Sequence, residues 1–177
     1  VSSMQLDQTE RGFSFSKDAP LDMRMSQTGT SAKDLVNTLS EQDLADILYN
    51  FGEEKKSRQI AKKIVEARKS KPIETTLELA NIIYQINKRS FNQNIDPATR
   101  SFQALRIAVN DELNELSKGL WGATSRLKKN GRLVVVDFHS LEDRIVKTFM
   151  KTNCDKKEHV SRYRQNTNSN SDALFSF

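Results

Sequence analysis

The chain has 177 residues, enough for one ordinary domain or one domain carrying a smaller insertion. Apolar residues make up 36% and charged residues 29%, so the core is modest and the surface strongly solvated. A count of 28 Lys+Arg against 23 Asp+Glu leaves a net charge of +5, which permits nucleic-acid binding through phosphate neutralisation without establishing it.

A single cysteine, Cys154, excludes an internal disulfide framework and a Cys-rich zinc site. No apolar run approaches the ~20 residues that cross a bilayer, and no signal-peptide core opens the chain. The composition therefore points to a soluble, cytoplasmic protein. Because the sequence opens on Val1-Ser2-Ser3 with no initiator methionine, a segment upstream is expected to be missing.

The first 25 residues, VSSMQLDQTERGFSFSKDAPLDMRM, carry turn formers and no sustained helical period, which predicts loop with a short GFSF strand. From Ser31 to Arg89 the pattern is helical. Leu35, Leu39, Leu44, Ile47, Leu48 and Phe51 recur at helical spacing, Ser40 with Asp43 makes a capping-box-like start, and Gly52 is a natural stop. A second helix is predicted over roughly 53–69, with Ile60, Ile64 and Ala67 on one side. Lys55, Arg58, Lys62 and Lys69 form a basic stripe on the other. Thr75 with Glu78 opens a third helix buried through Leu79, Ile82, Ile83 and Ile86.

Residues 92–97 read as a linker. Beyond them Phe102, Leu105, Val109, Leu113, Leu116, Leu120 and Leu127 give the longest amphipathic stripe, broken at Lys129-Asn130-Gly131. Leu133 to Val136 form an apolar run without alternation, as expected of a parallel strand covered on both faces. Residues 140–151 are helical again, with Leu141, Ile145 and Phe149 one above another. The polar tail to Ser171 reads as loop and Ala173 to Phe177 as a strand. Helix, Gly turn, buried strand and helix together predict an α/β doubly wound sheet.

In open parallel sheets ligands sit at the carboxyl ends of the strands, which draws attention to Asp137, Phe138, His139 and Ser140. Folding alone accounts for half of that junction, since Ser140 can cap the helix and Asp143 can complete a capping box. His139 has no such duty and is a candidate substrate contact. Gln103, Arg106 and Asn110 share the polar side of the long helix and by spacing alone are a solvated face. The basic stripe is likewise solvation unless the partner is a nucleic acid, in which case it contacts phosphates. Lys156, Lys157, Arg162, Tyr163 and Arg164 form a second basic patch with an aromatic able to stack on a base. No Gly-rich phosphate loop, zinc-protease motif, nucleophile elbow or paired-carboxylate motif occurs.

Three blocks, VSSMQLDQTERGFSFSKDAPLDMRM, DPATRSFQALRIAVNDELNEL and GRLVVVDFHSLEDRIVKTFM, in this order and with a helical module after the first, resemble the bacterial 16S rRNA (cytosine-N4) methyltransferases. These enzymes methylate N4 of a decoding-centre cytidine. The likeness runs from Val1 to about Lys151 and resumes faintly at Ala173. It implies a class I S-adenosylmethionine-dependent methyltransferase (Rossmann-like) core, incomplete here, with an inserted all-helical domain. On that basis residues 1–25 and 97–177 belong to the core and residues 26–96 to the insertion.

The resemblance further implies S-adenosyl-L-methionine as cofactor, 16S ribosomal RNA of the small ribosomal subunit as partner, and Gln5 as a cofactor contact. The family's partner aspartate, its glycine-rich loop and its ribose-holding acid have no counterpart in this sequence. A fragment inactive by itself is therefore expected. The cytosine amine is a poor nucleophile, its lone pair being delocalised into the ring, so an enzyme gains by accepting a hydrogen bond from N4. Many DNA amino-methyltransferases do so from an Asp/Asn/Ser-Pro-Pro-aromatic motif. The corresponding segment here, Val1-Ser2-Ser3, lacks it, leaving Ser2 and Ser3 as positional candidates and His139, Arg106 and Asn110 as candidate substrate-side groups. No metal is implied. The alternatives are a non-catalytic basic RNA-binding module and, from the doubly wound pattern alone, a nicotinamide-dependent oxidoreductase.

Overall fold

The computed structural model describes residues 8–26, 28–88 and 95–154. A short 3-10 turn, Thr9–Arg11, precedes seven α-helices. These are α1 (Ala32–Thr38), α2 (Glu41–Gly52), α3 (Ser57–Arg68), α4 (Thr76–Ile86), α5 (Thr99–Asn110), α6 (Glu112–Thr124) and α7 (Ser140–Asn153). The chain divides into two compact units, Val1–Asp111 and Glu112–Phe177.

Three helices of the first unit, α1, α2 and α4, begin where side chains supply the missing acceptors. Ser31 and Asp34 form a reciprocal capping box on α1, Thr75 and Glu78 another on α4, and the Ser40 hydroxyl accepts from the Asp43 N–H (3.1 Å) at α2. The helix stops at Gly52 as predicted, although the left-handed capping residue is the one after it. Gly52 is the last residue of α2, and Glu53 ends the helix in the left-handed region at φ 50°. Gly52 also serves packing. A Cβ there would lie 2.5 Å from the Arg100 carbonyl oxygen, so only glycine lets α2 and α5 approach this closely.

Val36, Leu44, Leu48, Ile60, Ile64, Leu79, Ile83 and Leu105 are fully buried in one core. Arg68 closes one edge of it, donating from both terminal nitrogens to the Val36 and Leu39 carbonyls (2.7 Å each) at the end of α1. The opening loop is drawn onto the helices. Phe15 packs on Phe102 with ring centroids 4.6 Å apart, and the 12–25 stretch buries Phe13, Leu21 and Met23.

The long stripe predicted from Phe102 to Leu127 is not one helix. It breaks between α5 and α6 at Asp111, which adopts φ 48°. Periodicity survives such a break because both halves keep the 3.6-residue repeat, so the spacing carries no sign of it. In the second unit Leu120, Leu141 and Phe149 are buried, and Trp121 meets Phe149 edge-on at 5.1 Å. The turn at Lys129-Asn130-Gly131 is present, with Asn130 at φ 68° and the Gly131 N–H bonded to the Lys128 carbonyl (2.8 Å).

No strand occurs among the described residues. A single bridge pairs Pro20 with Thr75. The predicted GFSF strand is a loop held by tertiary contacts. Leu133 to Val136, predicted to be a doubly covered strand, lie in an extended run over 131–138 that has no ladder partner among the described residues. Their exposure alternates instead, with Val134 at 80%, Val136 at 74% and Phe138 at 95% against half-buried Leu133, Val135 and Asp137. That is the two-residue period of extended chain, and it becomes a strand only where a neighbour supplies N–H and C=O groups. The doubly wound sheet is therefore not formed by the described residues. The predicted strand at 173–177 lies outside them.

Candidate functional site

Two places in the first unit concentrate chemistry, the loop from Pro20 to Met25 and the α2–α3 turn. The loop is over-determined. Met23, buried and non-glycine, sits at φ 62°, a conformation that side chains rarely adopt. Its N–H donates to the Arg11 carbonyl (2.9 Å) and its carbonyl accepts from Asn110 Nδ2 (2.8 Å). Asn110 Oδ1 accepts from the Met25 N–H (2.7 Å), while Nδ2 also donates to the Arg106 carbonyl (2.9 Å). Arg11 donates to the Arg24 and Met25 carbonyls (2.9 and 2.8 Å).

Two bonds at 2.7 Å join the Arg24 guanidinium to the Asp22 carboxylate. They hold the Asp22 carboxyl below its ordinary range, against a smaller opposing effect of burial. Asn110, expected to face a substrate, thus spends its side chain on the loop. Arg106, half-buried one turn earlier, is linked to it through its carbonyl.

Beside this loop lies an open cleft of about 620 Å³ lined by Asp18, Pro20, Asp22, Arg24, Lys33 and Glu74 among others. Its acids are committed within the protein. Asp22 takes Arg24, Asp34 takes Ser31 (2.6 Å), and Glu74 takes Lys33 (2.9 Å). Lys33 lowers the Glu74 carboxyl, and Ser31 lowers that of Asp34. S-adenosylmethionine needs an acid for its ribose hydroxyls and an apolar slot for its adenine. With these carboxylates engaged and charged side chains making up much of the lining, this cleft does not fit that group.

The α2–α3 turn carries the basic residues. Lys55 and Arg58 line a second cleft of about 670 Å³ together with Lys56, Tyr49, Asn50 and Gln59. Lys62 and Lys69 are exposed further along α3. None of Lys55, Arg58, Lys62 and Lys69 forms a salt bridge among the described residues. The stripe is therefore a run of uncompensated charge, and Lys56 and Tyr49 join it from positions that spacing along α3 did not mark.

In the second unit His139 is half-buried and is the N-cap of α7, its Nδ1 accepting from the Leu141 N–H at 3.3 Å. This reverses the capping assignment made from sequence. Ser140 is the first helical residue, and Asp143 pairs forward with Lys147 (2.7 Å) rather than back to a cap. Imidazole is an uncommon cap, so the residue-type preference pointed one position too far along. Gln5, Ser2, Ser3 and the second basic patch at 156–164 lie outside the described residues. Among the described residues no group of acidic, His and Cys side chains is arranged to hold a metal, and no helix is long and apolar enough to cross a membrane.

The profile of the MraW methylase family matches residues 1–172. The chain is also similar to the ribosomal RNA small subunit methyltransferase H of Rhodospirillum rubrum, 61% identical over 163 residues, covering 92% of this chain and 50% of that protein. Its counterpart in Cereibacter sphaeroides is 59% identical over 167 residues (94% and 50%), and that of Methylorubrum extorquens 57% identical over 163 residues (92% and 46%). The chain spans about half the length of the curated relatives it matches. The family implies a class I methyltransferase fold with S-adenosylmethionine as methyl donor. A profile match over nearly all of the sequence makes this chain a member of the MraW methylase family.

Proposed function

We propose that this chain is part of an S-adenosylmethionine-dependent enzyme that methylates the N4 amine of a cytidine in the decoding centre of 16S ribosomal RNA, acting on the small ribosomal subunit in the cytoplasm. The observation that carries the reading is the family match over residues 1–172, with relatives named as small-subunit rRNA methyltransferases. Uncompensated cations on the α2–α3 turn and α3 add a surface suited to RNA phosphates.

In this reading residues 1–25 and 97–177 contribute to the methyltransferase core and residues 26–96 form an inserted helical domain. Val134, Val136 and Phe138, exposed along one side of an extended run, are the row that helices packed on one face of such a core would cover. Gln5 contacts the methyl donor. His139 and Arg106 are substrate-side groups. What the protein's residues contribute to rate is chiefly positioning of amine and methyl donor, since in-line transfer at a sulfonium methyl demands alignment.

Residues 1–177 alone do not catalyse transfer. They span about half of each relative, and the cleft beside the Pro20–Met25 loop does not fit an adenosyl group. The test is methyl transfer from tritiated S-adenosylmethionine to small subunits lacking the modification. It compares residues 1–177 with a protein of the relatives' length that contains them. Label in N4-methylcytidine is expected from the longer protein only. Label on another base, or transfer by residues 1–177 alone, refutes the proposal. A non-catalytic RNA-binding module is separated by Gln5→Ala in the longer protein, which abolishes transfer and spares RNA binding if the enzyme reading is right.

A further inference from the structure

We infer that the α2–α3 turn is a track for single-stranded RNA that seats successive nucleotides in two adjoining clefts, with Tyr49 as the stacking platform of the first. The inference rests on the RNA-directed reading above and adds which form of RNA is held and by which residues. The first cleft, about 670 Å³, and a second of about 520 Å³ share Lys55 and Lys56 as a common wall. Both volumes fall within the ~300–1,000 Å³ usual for clefts that hold small ligands.

The wall between them is rigid. The buried Glu54 carboxylate accepts from the Lys56 N–H (2.9 Å) and from Asn87 Nδ2 (3.1 Å), fastening the turn to the end of α4. Lys56 Nζ donates to the Ile86 carbonyl (3.1 Å), which leaves Lys55 directed outward between the two spaces.

Cations outnumber acids in both clefts, with Arg58 in the first and Lys88 and Arg100 in the second. One acid, Asp46, is exposed in the lining of the first cleft, its carboxylate accepting from Gln42 Nε2 (2.9 Å). Two other carboxylates nearby are turned into the protein. Glu54 is held as described, and Asp96 accepts from the Tyr84 hydroxyl (3.0 Å) and the Ala98 N–H (2.9 Å). The Lys56 side chain does not cap α3, so the helix terminus adds its own partial positive charge to the first cleft.

Folding gives no reason for the apolar groups left here. Tyr49 is 61% exposed on the last turn of α2 while its neighbour Leu48 is fully buried, and Ile95 is 65% exposed at the second cleft. A basic groove carrying exposed rings is what unpaired nucleotides need, phosphates on the cations and bases on the ring face. A duplex, with its bases already stacked, gains nothing from Tyr49.

The test is fluorescence anisotropy of residues 1–177 with labelled hexauridylate and, as control, a duplex RNA of the same length, over a series of KCl concentrations. Tyr49→Ala is expected to weaken hexauridylate binding about 10-fold with an unchanged salt slope. Tyr49→Phe should bind within about 2-fold of the parent, because stacking needs the ring and not the hydroxyl. The double change Lys55→Ala with Arg58→Ala should reduce the salt slope by about 1.4, two phosphate contacts at ~0.7 each. Far-UV circular dichroism checks that each variant is folded. Equal affinity of Tyr49→Ala and parent, or hexauridylate binding no tighter than the duplex, overturns the track, as does absence of hexauridylate binding by the folded parent. The methyl-transfer assay reads the enzyme proposal separately. Transfer without single-strand binding sinks the track alone, and single-strand binding without transfer sinks the enzyme reading alone.

Discussion

Replacing Asn110 by alanine tests whether this side chain belongs to the fold before it belongs to any substrate. It makes three hydrogen bonds, accepting from Met25 N–H and donating to the Met23 and Arg106 carbonyls. The two loop bonds are part-buried and join residues more than 80 positions apart in sequence. Each contributes about 1 kcal/mol, and stranding the Met25 N–H and Met23 carbonyl adds ~1–3 kcal/mol. Met23 is also held at φ 62° by its neighbours, a conformation that itself costs about 1–2 kcal/mol and relaxes when its carbonyl is released.

The expected loss for Asn110→Ala is therefore about 2–4 kcal/mol. Urea denaturation followed by circular dichroism reads the total, and amide exchange at Met25 reads the local part. Asn110→Asp keeps the acceptor for Met25 but faces the Met23 carbonyl with a negative charge. It should be at least as destabilising as alanine at neutral pH. A loss below ~0.5 kcal/mol with unchanged Met25 exchange would show that the loop holds its shape without Asn110, and the argument would be wrong.

The Ser101 hydroxyl is fully buried and has no hydrogen-bond partner among the described residues, so Ser101→Ala should stabilise the protein by about 1 kcal/mol, seen as a raised urea midpoint. His139→Ala should cost ~0.5–1 kcal/mol through lost capping of α7, while His139→Asn restores stability. If His139 also touches substrate, asparagine recovers the fold in the longer protein and not the methyl transfer. Arg24 holds the Asp22 carboxyl below its unfolded value, Ser31 that of Asp34, and Lys71 that of Glu78. For these acids the stabilisation is complete above the unfolded pKa of about 4 and is lost as pH falls through the lower folded values. Urea midpoints should fall steeply below about pH 4, and Asp22→Asn should flatten that dependence; a parallel pH profile for the variant would remove Asp22 from the account.

The helices of the first unit are legible in the sequence because what starts and buries them lies within a few residues. Ser31 with Asp34, Ser40 with Asp43 and Thr75 with Glu78 are local pairs, and Leu44, Leu48, Ile60, Ile64, Leu79 and Ile83 repeat at the helical period and are buried. The uncompensated basic stripe was equally plain from spacing. The tertiary structure decided whatever depended on a partner far along the chain. Gly52 reads as a stop, which it is, but its close approach to Arg100 is invisible in the sequence; Asn110 reads as a solvated polar group and is the clasp of a loop some 85 residues earlier. Asp111 divides a continuous apolar stripe, and Leu133 to Val136 find no strand partner among the described residues although their composition is that of a strand. Capping and periodicity are short-range and printed in the sequence, whereas a close approach, a clasp or a strand pairing exists only when a distant segment supplies its other half.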